Sequence, residues 1–385
     1  MGPVTEGSPE PGSYVRIDWQ GRKVSAWLPA KLGERFLQTG SIGLTEPTAR
    51  RTEQAANLAT KASADLPASW VPIARLLARS EGIASSVFEG IASTPTEVAL
   101  AVSKRGGSPA AVAVAENVTA LAAAMSQSSV QFSIELLHEW HRILMTHATY
   151  LPGEMIGGFR TQQGWIGGSS PVDAALVTAP PEYLGELMND LVMFINDTSV
   201  DAVTQAAIAH AQFETIHPYG DGNGRVGRVL ISWMLAKHLD LRVAPPVSVH
   251  LARDRGGYLS GLVMFQQGLV DPWVRWFADT VARAATSSNE IAVGVAALLS
   301  NWDSRLSHLR SDSVARRVLS LFPEHYVVTA TDVVEATGVS DRSARSALAE
   351  LGRIGICGEL SIGTTGVGRP QKLWIAPELA ALLPG

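Results

Sequence analysis

The sequence predicts a mainly α-helical protein with a helical core, two short β-hairpins and a C-terminal helix-turn-helix module that carries a β wing. Three observations predict this. Apolar residues recur at helical spacing through most of residues 47–306. Period-two alternation is confined to a few short stretches near the N-terminus, around Trp165 and at the C-terminal end. Glycine and proline clusters, such as Gly106-Gly107-Ser108-Pro109, cut the helical pattern into segments of ordinary length.

Taken in order, residues 1–13 are rich in Gly, Pro and Glu and are expected to be disordered. Residues 14–19 and 23–28 alternate around Gln20-Gly21-Arg22, which predicts a hairpin. Helices are expected over most of 47–105 and over 110–125, and Ser133 is placed to cap a helix that includes Leu136, Leu137 and Trp140. Residues 157–168 have glycines at both ends and read as a short hairpin or flap. Pro180-Pro181 opens a helix over 182–196. Further helices are expected over 203–216, 222–235, 255–267, 273–283 and 290–306, the last as a connector. Beyond residue 311 a helix ends near Leu321, and helices over 332–337 and 341–351 flank a turn at Gly338-Val339-Ser340. Strands over 354–362 and 372–375 then surround a Gly-rich tip at 363–368. That order reads as a winged helix. The chain thus divides into 1–13, 14–105, 106–285, 286–310 and 311–385.

Bulk properties exclude several classes. A net charge of −5 and a pI near 6.0 give no global basic field for nucleic acid or membrane. The single cysteine, Cys357, forms no internal disulfide, which fits a reducing cytoplasm. The first residues lack the basic and apolar regions of a signal peptide, and Glu6 stands where a myristoylation site needs Ser or Thr. No apolar run is expected to span a membrane.

The most informative stretch is residues 217–228, His-Pro-Tyr-Gly-Asp-Gly-Asn-Gly-Arg-Val-Gly-Arg. His217 closes one helix, Pro218 stops it continuing, and an imidazole titrating near neutrality suits a general base. Asp221, a loop carboxylate, suits Mg²⁺ shared with phosphate oxygens, although an Asp here can also cap the next helix. Gly222, Asn223 and Gly224 open that helix, where free N–H groups and the dipole make an anion site. Arg225 and Arg228 lie i, i+3 on one face and can present two guanidinium forks to one polyphosphate. Gly222, Gly224 and Gly227 also satisfy GxGxxG. That fingerprint needs a preceding strand, and here an Ala-rich helical stretch ending in His-Pro precedes it, so a dinucleotide fold is excluded.

This block resembles the signature of the Fic family (filamentation induced by cAMP), HPFx(D/E)GNGRxxR, and the likeness extends over most of residues 10–285. Trp19, Gly21 and Pro29 are similar to the family's N-terminal module, and Trp165-Ile166-Gly167-Gly168 with Ala179-Pro180-Pro181 to its flap region. Tyr219 departs from the usual Phe, and its hydroxyl needs a partner in the core. The resemblance implies a protein adenylyltransferase with a Fic-type helical core. Such an enzyme moves AMP from ATP to a Ser, Thr or Tyr hydroxyl of a target protein or of itself. It implies His217 as the base, Asp221 on Mg²⁺, and Asn223 with the glycine amides on the phosphates. Arg225 and Arg228 would contact the phosphate tail, with Arg228 on the γ-phosphate. A flap of Thr161, Gln162, Gln163, Gly164, Trp165, Ile166, Gly167 and Gly168 would pair in β fashion with the target. Tyr258 resembles a tyrosine near the nucleotide, and core packing is its alternative. A homodimer is also implied.

Ser85-Ser86-Val87-Phe88-Glu89-Gly90 fits [ST]xxxE[GN], the inhibitory-helix motif of one Fic class, on a helix expected at about 80–91. Ser85 and Glu89 are spaced i, i+4, and the resemblance implies that Glu89 pairs with Arg228 and removes it from the γ-phosphate. In residues 311–385, Arg342 and Arg345 occupy the recognition-helix position, and Arg369 and Lys372 flank the wing. Seven Lys/Arg face eight Asp/Glu in that segment, which argues against strong DNA affinity and for structural or protein docking. Two alternatives remain at this stage: a nucleotide-sensing DNA-binding regulator, and removal of AMP at the same site with Glu89 orienting water. UMP, phosphate or phosphocholine donors also occur on this scaffold.

Overall fold

In the computed structural model, residues 10–360 and 372–382 are described, and the chain begins with an antiparallel hairpin. Strand β1 (Gly12–Trp19) pairs with β2 (Arg22–Pro29) from Gly12 opposite Pro29 to Trp19 opposite Arg22. Gln20 and Gly21 both have positive φ (51° and 79°), the two-residue turn whose twist matches its strands. Gly12 and Ser13 lie inside the strand, because the Ala30 N–H bonds the Pro11 carbonyl and carries the ladder outward. The expected disorder therefore does not reach residue 13; residues 1–9 lie outside the described residues.

Five helices follow: α1 (Glu46–Ala64), α2 (Val71–Val87), α3 (Pro95–Val102), α4 (Pro109–Ser126) and α5 (Ile134–Leu144). Thr94 and Glu97 form a capping box on α3, and Ser133 caps α5 through the Leu136 N–H. By length and composition α4 could cross a membrane, contrary to the sequence expectation. Its Val114, Ala115, Val118 and Leu121 are instead buried against neighbouring helices.

The flap is a hairpin of β3 (Trp165–Ile166) and β4 (Leu176–Val177), with Trp165 opposite Val177. The expected hairpin within 157–168 is thus corrected. Its second strand lies further on, because Asp173 folds the intervening loop by accepting from Ser169 and Ser170. A single 3₁₀ turn, Pro181–Tyr183, precedes α6 (Leu184–Asn196).

The centre is α7 (Ala202–Ile216) and α8 (Asn223–His238). Every residue from Val203 to Ile216 is buried, so α7 needs no polar face and its Ala-rich pattern shows none. Around this pair pack Trp140, Phe194, Trp273 and Phe277. Then come α9 (Val247–Arg253), α10 (Arg255–Gln266) and α11 (Val270–Arg305). The two helices expected over 273–283 and 290–306 are one 36-residue helix. The intervening Thr286 and Ser288 hydroxyls bond back to the Ala282 and Ala284 carbonyls, so these polar residues do not break it.

The C-terminal module contains α12 (Val314–Val318), α13 (Leu321–His325), β5 (Val327–Val328), α14 (Ala330–Thr337), α15 (Asp341–Arg353), β6 (Gly358–Leu360), β7 (Leu373–Ile375) and α16 (Pro377–Ala380). The sheet order is β5-β7-β6, antiparallel throughout. Helix-turn-helix and sheet follow the expected order, but the strand expected from residue 354 starts at Gly358, because Ile354 caps α15 and Gly355 turns the chain (φ 77°); residues 361 and 362 lie outside the described residues. The tip at 363–368 and Arg369 lie outside the described residues. A second apolar cluster joins this module to α2, α3 and the end of α11.

Candidate active site

Two buried helices and the loop between them build the site. His217 ends α7 in the left-handed region (φ 54°, ψ 61°), unusual for a residue with a side chain. Buried Arg160 pins this conformation: its Nε donates to the His217 carbonyl at 2.8 Å and its Nη2 to the Ala179 carbonyl at 2.6 Å. The imidazole Nδ1 lies 3.4 Å from the Glu214 carbonyl. A carbonyl only accepts, so Nδ1 carries the hydrogen and Nε2 keeps a free lone pair. Burial, reinforced by the Arg160 charge, pushes the His217 pKa down to about 4. The imidazole is therefore neutral and able to take a proton at neutral pH.

Asp221 is half-exposed on the loop; its Oδ1 accepts from the Gly222 N–H at 2.6 Å and its Oδ2 from the Tyr150 hydroxyl at 2.5 Å. It does not cap α8, which begins after Gly222 (φ 78°) with no side-chain cap, leaving first-turn N–H groups open. Asn223 departs from expectation. Its Oδ1 accepts from the Tyr219 N–H and its Nδ2 donates to the Tyr219 carbonyl, both at 2.8 Å. With its Oδ1 and one Nδ2 hydrogen so used, the buried amide shapes the loop.

Arg225 is 4% exposed, with Nη2 3.8 Å from Asp221 Oδ2 and 3.6 Å from Met145 Sδ, while its Nε has no partner. Arg228 is 3% exposed, and its Nε and Nη2 are engaged. Its Nε donates to Ser85 Oγ at 2.9 Å, and its Nη2 to the Ser85 carbonyl at 2.9 Å and to Glu89 Oε1 at 2.8 Å. The Phe88 ring lies under the guanidinium, 4.7 Å from its centroid. Both residues named by the Ser85–Glu89 spacing thus meet Arg228. A Cβ on Gly224 would stand 2.6 Å from Glu89 Oε1, so the carboxylate sits directly on the opening turn of α8.

Tyr258 is buried, with its hydroxyl 2.9 Å from His210 Nε2 and its ring edge-on to Phe88. It packs behind Arg228 as part of the core. The Tyr219 hydroxyl finds the partner it requires in His138 Nδ1 at 3.1 Å, and its ring stacks on His141 at 4.0 Å. Tyr219→Phe is expected to destabilise the fold by about 0.5–1.5 kcal/mol in denaturant titration, the worth of one internal hydrogen bond. In the flap, Gln162 and Gln163 bond Arg160 and the Thr178 carbonyl, whereas Thr161, Ile166, Gly167 and Gly168 are exposed. Trp165 packs edge-on to Trp19 of the first hairpin, with centroids 5.6 Å apart.

Sequence reasoning missed Arg160, Tyr150 and Glu214. Glu214 is buried beside Gly227, its Oε1 has no hydrogen-bond partner, and burial raises its pKa to about 7. Nothing in the spacing of these residues marks them, because each reaches the site through the fold.

Fold and site define a helical protein with an uncapped helix N-terminus beside a half-buried histidine. The model of the Fic/DOC family matches residues 131–235. It is 30% identical over 196 residues to protein adenylyltransferase fic-1 of Caenorhabditis elegans, which is 49% of this chain and 35% of that protein. It is 33% identical over 115 residues to a probable protein adenylyltransferase of Aquifex aeolicus, 29% of this chain and 34% of that protein. The chain thus spans about a third of the length of these curated relatives. Among solved structures, a Fic family protein from Desulfovibrio desulfuricans matches with TM-score 0.55 and 21% identity, over 86% of this chain and 96% of that one. A Fic-domain signalling protein from Bacteroides thetaiotaomicron matches with TM-score 0.53 and 17% identity, over 63% of this chain and 97% of that one. These two likenesses concern the fold.

Proposed function

We propose that the protein transfers AMP from ATP to a hydroxyl side chain of a target protein. The supporting observation is that one loop gathers a neutral imidazole with a free Nε2, a half-exposed carboxylate and an uncapped helix N-terminus. His217 takes the proton as the target oxygen attacks the α-phosphorus, and pyrophosphate leaves. Open N–H groups of α8 and Arg225 hold the phosphates, and Arg228, once released, holds the γ-phosphate. Asp221 suits Mg²⁺, which needs only one or two carboxylates when phosphates supply the rest, and the bound ion would spread charge on the α- and β-phosphates. Turning the Tyr150 hydroxyl aside frees Asp221 Oδ2 for that role. The free edge of β3 offers the target a strand to pair with. The names of the curated relatives, protein adenylyltransferases, support the same reading.

In the described state Glu89 and Ser85 occupy every donor that Arg228 directs toward α2, so the reading includes self-inhibition. The reading of residues 311–385 as a winged helix that docks protein rests on charge. Arg345 is tied to Asp341, Arg353 to Glu350 and Lys372 to Glu359. A reducing cytoplasm and a homodimer remain part of the proposal.

The test uses ATP labelled at either end and the Glu89→Gly chain. Label from the α-phosphate should become covalently attached to protein, and label from the γ-phosphate should not. The reverse pattern would assign phosphate transfer instead.

A further inference from the structure

We infer that the C-terminal module is the clamp that holds the Glu89 brake shut, through its grip on the opposite end of α2; this rests on the proposed self-inhibition. One helix carries both contacts. Its C-terminal end presents Ser85, and Glu89 in the following turn, to Arg228. Its first half buries Ile73, Leu76 and Leu77 in the second apolar cluster with Leu321, Phe322 and Val327 of the module. Arg79, 5% exposed, donates from Nη2 to the Glu324 carbonyl at 2.8 Å, and Arg75 pairs with the Glu324 carboxylate at 2.9 Å. Next to α2, Arg105, which follows α3, pairs with Asp332 of the capping box on α14. The module therefore meets the brake helix with both an apolar surface and ion pairs.

The arrangement couples the two ends mechanically. Arg79 stands eight residues before Val87, the last residue of α2, roughly 12 Å along the helix, with Glu89 in the turn that follows and no proline or glycine kink in between except Gly82. Gly82 is packed too tightly to hinge: a Cβ there would lie 2.6 Å from Val118 Cγ2. On the core side, Glu81 is buried and accepts from the Ser248 N–H and hydroxyl, which fixes the axial position of the helix. A shift of α13 must then move α2 or break the Glu324 contacts. If α2 moves, the Glu89–Arg228 bond is lost, because a 2.8 Å contact does not survive a displacement of an ångström or more. Whatever binds or remodels the C-terminal module thereby acts on the nucleotide site, and the two sites share one two-state element.

The experiment uses the full chain and the variants Glu324→Arg, Arg75→Glu and their charge-swapped double. Glu324→Arg sets a third cation beside Arg75 and Arg79; the half-buried side chain is 29% exposed, and the charge-swapped double variant separates loss of the contact from loss of the fold. Two readouts are taken: incorporation of α-labelled ATP, and hydrogen exchange of the amides at 80–90. Glu324→Arg should raise incorporation about three- to tenfold over wild type, toward the Glu89→Gly level, and speed exchange at 80–90. The double variant should return both toward wild type, which loss of folding would not do. Unchanged exchange and unchanged incorporation in Glu324→Arg, with Glu89→Gly active, would overturn the clamp. If Glu89→Gly itself transfers no AMP, the functional reading fails, and the exchange measurement still decides the coupling.

Discussion

Glu89→Gly is expected to raise AMP incorporation from α-labelled ATP by about 10- to 100-fold over wild type. The magnitude follows from the bond removed. A hydrogen bond between charged groups contributes about 1.5–3 kcal/mol, and each 1.4 kcal/mol is a factor of ten. The contact is short, its arginine is nearly fully buried, and Ser85 supplies two further bonds that lose their anchor when the carboxylate goes. The substitution should leave the fold intact, because Glu89 lies beyond the last residue of α2 and its side chain is one-third exposed. Gly at that position can follow the turn already made by Gly90 (φ 72°). Incorporation equal to wild type would remove Glu89 as the brake.

His217→Ala in the Glu89→Gly background should lower the transfer rate by about 10²- to 10⁴-fold, the usual contribution of a positioned proton acceptor. ATP binding, followed by calorimetry, should persist, since no phosphate contact is assigned to the imidazole. The left-handed backbone at His217 costs an alanine about 1 kcal/mol, which a melting curve can register separately from the catalytic loss. The pH profile gives an independent check. The working form is the neutral imidazole, and burial beside Arg160 lowers its pKa to about 4. Incorporation should therefore stay flat with respect to this group from about pH 6 upward and fall as pH drops through its lowered pKa. Retained transfer in His217→Ala would assign the base elsewhere.

The parts legible in the sequence were those coded by local chemistry. Residues 217–228 carry their turn, glycines and arginines in a row, so the site could be placed before the fold was known. Ser85 and Glu89 were legible because four residues make one helical turn, and both do reach Arg228. What the sequence hid depended on distant pairing. The second flap strand, Leu176–Val177, is too short to show alternation. The loop-shaping role of the Asn223 amide depends on its bonds to the Tyr219 backbone, which no motif position announces. Arg160 sits 57 residues from the histidine it pins, and no spacing rule connects them. The continuous α11 was missed because serine and threonine lower helix propensity, a weak preference that back-bonding and packing override.

The seat left by Gly224 has a thermodynamic consequence. Glu89 Oε1 lies 2.6 Å from where a β-carbon on that residue would stand, at the mouth of the helix proposed to hold the phosphates. The carboxylate is thus a tethered ligand for the same positive end that a phosphate seeks. Its effective concentration is that of a group on a short leash, on the order of millimolar or above. The apparent ATP affinity of the productive pose is reduced by the fraction of time the leash is fastened. Occupancy of the site then reports a contest between a dissolved anion and an attached one, decided by nucleotide level and by the slack in the tether.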